Sequence, residues 1–378
     1  MKYGTVLITG GAGFIGSHTA DLLISSGYEV IIYDNLHVKT HNGKWPGYLN
    51  SKITKKIKAD VTDPKFLLEA LRKSDYVIHL AAEMDLNPEF QQFMDINVGG
   101  TALIYELIVK HDIKIKKVVV ASSQFVYGEG NWECKVHGKF TPEIRSKQKM
   151  LDEEWDQICP ICKKRADFCT NYEDHQNPPN HYALSKYFQE KTAIQLGKLY
   201  NIPSTAMRYS IVHGPRQSLK NTYSGALRTF AINLDLGRPI ATFEDNCSIR
   251  DFVSVYDVAS ANKLVLETDE SNFQVYNVGG GVKIAVNELA RILAKGMGKS
   301  LAFSKAKEFR VGDIRHAFSS IDKLKNLGWV PAFSVEDTIE EYIKWFRLQD
   351  YDEQAFIKTQ KLLRSNKIVM RTLKNDNK

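Results

Sequence analysis

The segment Tyr182-Ala-Leu-Ser-Lys186 holds a phenol and an amine four residues apart. On a helix that spacing turns both side chains toward the same neighbour. A phenol ordinarily loses its proton near ~10. An ammonium beside it favours the phenolate and makes Tyr182 a usable proton acceptor near neutral pH. The same spacing on a bare surface helix carries no chemistry, so a third group is needed. The run "ASSQFVYG" supplies it at the end of an apolar, β-branched stretch. Ser123 is the first choice for a hydroxyl that hydrogen-bonds a reacting oxygen, and Ser122 is the second. The three side chains together fit proton transfer at the oxygen of an alcohol or a ketone.

A second set of reactive side chains lies between Ser123 and Tyr182. Cys134-x2-His137 and Cys159-x2-Cys162 form paired knuckles separated by a hairpin-sized stretch. Three thiolates and an imidazole satisfy tetrahedral zinc and leave no open position, so such a zinc would be structural. Cys169 is an alternative ligand in place of Cys134 or His137. A redox pair at Cys159 and Cys162 is the other reading, although no thioredoxin-like helix start surrounds it. Long structureless loops are uncommon inside compact enzymes. Residues 129–180 are therefore read as an inserted, zinc-ribbon-like segment.

These groups need a frame, and the first half of the chain supplies one. "TVLIT", "EVIIYD", "KKIKAD", "YVIHLAA" and "KVVVASS" read as strands; "FIGSHTADLLISSG", "DPKFLLEALRKS" and "FQQFMDINVGGTALIYELIVKH" read as helices between them. Repeated strand–helix units give a parallel sheet covered on both faces. Gly10, Gly13 and Gly16 fall between the first strand and the first helix, with Phe14 and Ile15 among them. Glycines there let the backbone approach a pyrophosphate, and the helix start offers aligned amides. Asp34 ends the second strand. A carboxylate at that place accepts both adenosine ribose hydroxyls and repels a 2′-phosphate, so NAD is expected over NADP. Asn35 beside it leaves a plain turn open as an alternative. Asp60 and Val61 follow the third strand, within reach of an adenine amino group. The positive nicotinamide ring would then add to Lys186 in favouring the phenolate, and Lys186 could also hold the nicotinamide ribose.

The second half is less regular. "NIPSTAMRYS" gives one more strand, and "YSGALRTFAINLDLG", "AVNELARILAKGMG" and "VEDTIEEYIKWFRLQ" read as helices of a smaller second domain. Beyond about residue 352 the pattern fades into a basic tail, expected to be solvated and partly disordered. The 378 residues are 43% hydrophobic and 25% charged, which is a soluble, globular profile. No apolar stretch is long enough to span a bilayer, and the N-terminus lacks a secretory pattern, so a cytoplasmic, reducing setting is expected. There the five cysteines are thiols or metal ligands rather than disulfides. The net charge of +7 comes with no nucleic-acid-binding signature and suits a phosphate-bearing substrate.

Taken as a set, "TGGAGFIG", "HLAA", Asn97, "SSQFVYG", "YALSK", "GPRQ" and "RDFVSVYDVA" resemble an extended short-chain dehydrogenase/reductase of the nucleotide-sugar epimerase/dehydratase group. The likeness covers roughly residues 4–345. It implies an NAD-binding Rossmann domain over residues 1–208, rejoined by 250–268, and a nucleotide-sugar domain over 209–249 and 269–350, followed by the tail 351–378. It implies catalytic roles for Ser123, Tyr182 and Lys186. Leu80, Ala81, Ala82, Asn97, Ser122 and Tyr209 would line NAD. Ser123, Gln124, Arg216, Arg250, Arg310 and Asp313 would face the substrate, with Arg250 and Arg310 clamping a diphosphate and Asp313 reaching the nucleoside ribose. A homodimer through helices near 88–111 and 181–200 is implied as well.

Dehydratases of that family carry an Asp-Glu pair directly after the catalytic Ser/Thr, where this chain has Gln124 and Phe125. Neither can move a proton on sugar carbon, so the resemblance implies epimerisation at C4 through a keto sugar. The cysteine-bearing insertion, "NTYSGAL" and "VGDIRH" look most like dTDP-L-rhamnose 4-epimerases. "RYSIVHGPRQ" departs from the pattern, with Ser210 and Ile211 where many relatives have Phe-Asn, and Ala317 is small where sugar size is limited. UDP-glucose or UDP-glucuronate 4-epimerase, nucleotide-sugar ketoreductase and non-catalytic NAD binding are the alternatives.

Overall fold

The computed structural model describes residues 3–84, 88–220 and 225–373. Its centre is a seven-stranded sheet in the order Gln274–Val278, Ser204–Tyr209, Lys117–Ser123, Tyr76–His79, Thr5–Thr9, Glu29–Asp34, Lys55–Lys58, with all pairs parallel. Parallel strands are buried on both faces, which the β-branched runs anticipate. Successive side chains divide accordingly. Val6 and Ile8 pack with helices Phe14–Ser25 and Val255–Glu267, whereas Leu7 packs with Pro64–Leu71, Gly100–Lys110 and His181–Leu199. The chain steps outward from Thr5–Thr9 to Lys55–Lys58, then crosses back to Tyr76–His79 and proceeds the other way. That reversal opens a crevice at the carboxyl ends of the two central strands, where such sheets bind ligands.

The expected strands and helices are present, with three differences. Gln274–Val278 joins the large sheet beside Ser204–Tyr209 instead of lying with the second domain. The helix expected from Phe90 onward is interrupted by a wide π-turn over Met94–Gly99. The described part of the basic tail forms regular structure: Asp352 caps a helix over Glu353–Ser365, and Val369–Arg371 pairs antiparallel with Phe303–Arg310. Phe356 and Val369 are buried there, which is what anchors it.

A second core gathers Leu227, Phe230, Leu289, Leu293, Ile339, Tyr342 and Phe346 from the helices Gly225–Asp235, Val286–Met297 and Val335–Phe346. Residues 221–224 of "NTYSGAL" and 374–378 of the tail lie outside the described residues. Residues 129–180 are not a structureless loop. Trp132–Cys134 pairs with Gly138–Phe140 and with Asp167–Phe168 in a small antiparallel sheet. Among the described residues no helix is long and apolar enough to cross a membrane.

One buried ion pair ties these parts together at the carboxyl edge of the large sheet. Arg208 and Glu190 are each about 1% exposed, and the guanidinium donates to both carboxylate oxygens at 2.9 and 2.7 Å. Arg208 also donates to the Tyr127 hydroxyl and to the Glu173 carbonyl. Ser122 donates to Glu190 at 2.8 Å. Removing one member of a buried pair strands the other. Arg208→Met is therefore expected to destabilise the fold by about 3–5 kcal/mol, read as a lowered midpoint in denaturant melts, whereas Ser122→Ala should cost only about 1 kcal/mol.

Candidate active site

The turn after Thr5–Thr9 passes its neighbours with no room for side chains. A Cβ on Gly10, whose φ is +66°, would lie 2.7 Å from the Ala81 nitrogen. On Gly16 it would meet the Gly10 carbonyl oxygen at 2.5 Å. Helix Phe14–Ser25 then starts at Gly13 without a side-chain cap, so its first amides face the crevice mouth undressed. This is a cradle that fits a pyrophosphate. Ala81 follows Leu80 out of the neighbouring strand, and both are pinned to Thr9: Leu80 N donates to the Thr9 carbonyl and Ala81 N to the Thr9 hydroxyl.

Asp34 stands at the end of its strand, buried, with one oxygen accepting from Ala12 N and the other from Leu36 N at 3.1 and 2.8 Å. Burial pushes its carboxyl up despite those bonds and the nearby His41. Each oxygen keeps further acceptor capacity. Asp60 accepts from Asn35 at 2.9 Å and from Thr62. Burial opposes its charge, but Thr62 and Asn35 outweigh that and hold it below the usual range. Val61 packs against Gly100, where a Cβ would sit 2.7 Å from it.

Across the crevice, Ser123 ends its strand beside Tyr209. Asn180 caps helix His181–Leu199 by accepting from Ala183 N, which sets Tyr182 in the first turn. Tyr182 is buried, hydrogen-bonded to the Ser123 hydroxyl and flanked by the Phe93 and Phe125 rings. One turn on, Lys186 donates to the Ala121 carbonyl at 2.9 Å and to Gln189 Oε1 at 2.8 Å. The three expected residues are thus together. Burial pushes the Tyr182 phenol up to about 12, although Ser123 pulls it down, and burial lowers Lys186 to about 7. The lysine spends its protons on neutral oxygens, so it does not by itself drive Tyr182 toward phenolate.

Most of the other expected residues also have partners within the chain. Asn97, inside the π-turn, uses its amide on the chain: it accepts from Glu83 N and donates to Glu83 O and Ser185. It therefore pins the segment after Ala82 onto the helix that bears Tyr182. Ser122 turns away to Glu190. Tyr209 donates to Asn262 at 2.6 Å in the core. Ser210 donates to Asp251. Arg216, expected at the substrate, pairs with Asp21 of the first helix at 2.7 Å and lies over Tyr48. Tyr48 donates to the Ala12 carbonyl, so this group covers the glycine turn. Arg250 directs its guanidinium at the carbonyls of Ile249, Ile314 and Arg315 and toward Asp313, 3.6 Å away. Arg310 lies over the Phe243 ring. Gln124 is 2% exposed, and neither its amide nitrogen nor its oxygen has a partner among the described residues.

Reasoning from sequence missed Gln189, Phe93 and Tyr48. Gln189 sits three residues after Lys186, a spacing that already placed it on the same face. Nothing local in the sequence signals the other two.

The Cys/His segment brings four of its ligand-type side chains together. The ligand atoms of Cys134, His137, Cys159 and Cys162 all lie within 4.8 Å of one another. Cys134 Sγ is 3.7 Å from Cys162 Sγ and 3.6 Å from His137 Nδ1, and Cys159 Sγ is 3.5 Å from that nitrogen. The backbone N–H groups of Val136 and His137 point at Cys134 and help lower its thiol to about 6. Cys169 stands outside the cluster, against the Asp167 carbonyl.

The depressed Lys186 has a measurable consequence. An unfolded lysine titrates near 10.5 and the folded one near 7. The unfolded chain binds the extra proton between those values, so burial of Lys186 costs stability below about pH 7 and the cost fades toward about 10.5. In cofactor-free protein, Lys186→Met should therefore be stabilised relative to the parent most at pH 7 and below. Chemical denaturation of both across that window checks this, and parallel curves would contradict it.

The model of the NAD dependent epimerase/dehydratase family matches residues 6–144 and 160–279. The chain is 32% identical over 349 residues to dTDP-L-rhamnose 4-epimerase of Burkholderia thailandensis, covering 90% of this chain and 94% of that protein. It is 33% identical over 352 residues to a putative UDP-glucose 4-epimerase of Methanocaldococcus jannaschii, covering 90% and 98%. The structure of UDP-glucuronic acid 4-epimerase from Bacillus cereus, in complex with UDP-glucuronic acid and NAD, superposes with a TM-score of 0.74 at 25% identity, covering 91% of this chain and 99% of that one. The glycine cradle, the serine–tyrosine–lysine edge and these likenesses along nearly the whole chain agree: the protein belongs to the NAD-dependent epimerase/dehydratase family.

Proposed function

We propose that the protein is a nucleotide-sugar 4-epimerase that oxidises its substrate transiently to a 4-keto sugar and reduces it again on the opposite face. The observation that carries this reading is the buried Ser123–Tyr182 pair, one turn from Lys186, with the unpartnered Gln124 amide where an acid would serve elimination. NAD, when held by the glycine cradle with Asp34 and Asp60, supplies the hydride acceptor and a positive ring that favours the Tyr182 phenolate. Tyr182 then takes the proton of the sugar hydroxyl and later returns it. Ser123 hydrogen-bonds the reacting oxygen, and Lys186 supports the charge that develops on the phenol. Gln124 offers a donor and an acceptor to the sugar. Arg250, Arg310 and Asp313 form the diphosphate and ribose end. No proton-transfer group follows Ser123, so water is not eliminated.

The preferred substrate is a dTDP-6-deoxyhexose such as dTDP-L-rhamnose, supported by the Burkholderia relative. A UDP-sugar is the second reading, favoured by the Methanocaldococcus relative. A homodimer through helices Gly100–Lys110 and His181–Leu199 belongs to this proposal; these helices leave Val109 and Phe188 exposed. Purified protein given dTDP- and UDP-sugars in turn is expected to interconvert one C4 pair, followed by NMR, with no added NADH consumed. Tyr182→Phe should lower turnover by roughly 10²–10⁴-fold with bound NAD unchanged. Stoichiometric NADH oxidation would instead identify a ketoreductase.

Zinc at Cys134, His137, Cys159 and Cys162 is part of the same proposal. A tetrahedral zinc with Zn–S near about 2.3 Å and Zn–N near about 2.05 Å requires S···S edges of about 3.8 Å and S···N edges of about 3.6 Å. The observed 3.7, 3.6 and 3.5 Å match these edges. Protein purified without chelators should carry about one zinc per chain, and Cys159→Ser with Cys162→Ser should abolish it by elemental analysis.

A further inference from the structure

We propose that the metal-held insert is the positioning element for residues 313–320, so that its integrity sets the affinity for the nucleotide sugar without affecting NAD retention. This rests on the zinc and nucleotide-sugar readings above. It starts from an asymmetry. The insert makes a continuous set of contacts with residues 313–320, and that segment in turn holds Arg250.

The contacts run along the segment residue by residue. Arg145 donates to the Asp313 carbonyl at 3.1 Å while its other nitrogens engage Glu129 and Glu244. Glu129 accepts from Arg315 N at 3.1 Å. The Arg315 guanidinium returns to the insert at Asp156 and bridges to Glu244 and Asp245. Arg145, Glu129, Arg315 and Glu244 are all buried. The His316 ring packs against two aromatics of the small sheet, 5.5 Å from Trp132 and 5.4 Å from Phe168, which also touch each other at 5.7 Å. Asn171 exchanges backbone bonds with Phe318 and Ser320, and its amide donates to Phe318 as well.

The far side of the segment faces the ligand-binding arginine. His316 Nδ1 accepts from Ile249 N, and Ala317 N donates to Ile249 O. The Ile314 and Arg315 carbonyls hold Arg250. Trp132 lies two residues before Cys134, and Phe168 pairs with Trp132 across the small sheet. A sheet of three two- or three-residue strands has almost no core of its own. The four-ligand centre is what can keep Trp132 and Phe168 against His316. The family match is interrupted between residues 144 and 160, so Arg145, Trp155 and Asp156 belong to a stretch that the family pattern does not carry.

The test compares the intact, NAD-containing protein with protein stripped by dipicolinate, and adds Trp132→Leu, which keeps all four metal ligands. Hydrogen exchange reads the segment without any ligand. Stripping is expected to speed exchange at Arg315, Ala317 and Ser320 roughly tenfold or more, while strand Thr5–Thr9 and the NAD content stay unchanged. Titration with UDP and dTDP sugars reads the consequence: affinity and KM worsen roughly tenfold or more in both altered proteins, with kcat little changed, and zinc restores the stripped one. Trp132→Leu should show the same loss at full zinc content. Unchanged exchange at those amides, or equal sugar affinity with and without zinc, overturns the proposal. If intact protein binds neither sugar class, the nucleotide-sugar reading fails and takes the affinity claim with it, whereas the exchange result still decides whether the insert holds the segment.

Discussion

A guanidinium and a carboxylate, both out of water, hold the reactive edge of this protein together. Arg208 sits one residue before Tyr209, at the carboxyl end of its strand, and Glu190 lies one turn after Lys186 on the helix that carries Tyr182. The pair fixes the distance between that helix and the sheet. Through Ser122 it fixes the strand end that presents Ser123, and through Tyr127 and the Glu173 carbonyl it anchors both ends of the insert. A desolvated pair of this kind contributes little net stability compared with apolar residues, but it tolerates few alternative arrangements. What it gives the site is one geometry.

The sequence was most legible where burial is expressed in composition. "TVLIT" and "KVVVASS" are β-branched because both faces of those strands are covered, and the glycine turn announces a backbone that must pass another backbone. Gln274–Val278 was hidden because Gln274 and Asn277 break the apolar run, and Asn277 is buried only because Tyr127 and Ser320 satisfy its amide. The tail helix was hidden because few of its residues are buried, Phe356 foremost. The π-turn leaves no mark on a periodicity read at 3.6 residues. Arg216 and Asn97 were recognised as important residues, but the chain that folds back to meet them cannot be seen from their neighbours.

Charge state was the least legible property. The spacing of Tyr182 and Lys186 is a local fact, and it was right. Their ionisation depends on how much water the fold removes and on which acceptors meet the ammonium, and here these are the Ala121 carbonyl and Gln189. Burial raises the phenol and lowers the amine.

The closing strand Val369–Arg371 covers the free edge of Phe303–Arg310, with Phe309 and Glu308 buried next to it. An edge strand whose amides and carbonyls are unpaired is a template for another copy of itself. Val369–Arg371 thus acts as a guard against filament-like pairing: without it, the edge of Phe303–Arg310 would bare a ladder of hydrogen-bonding groups beside the buried Phe309 ring.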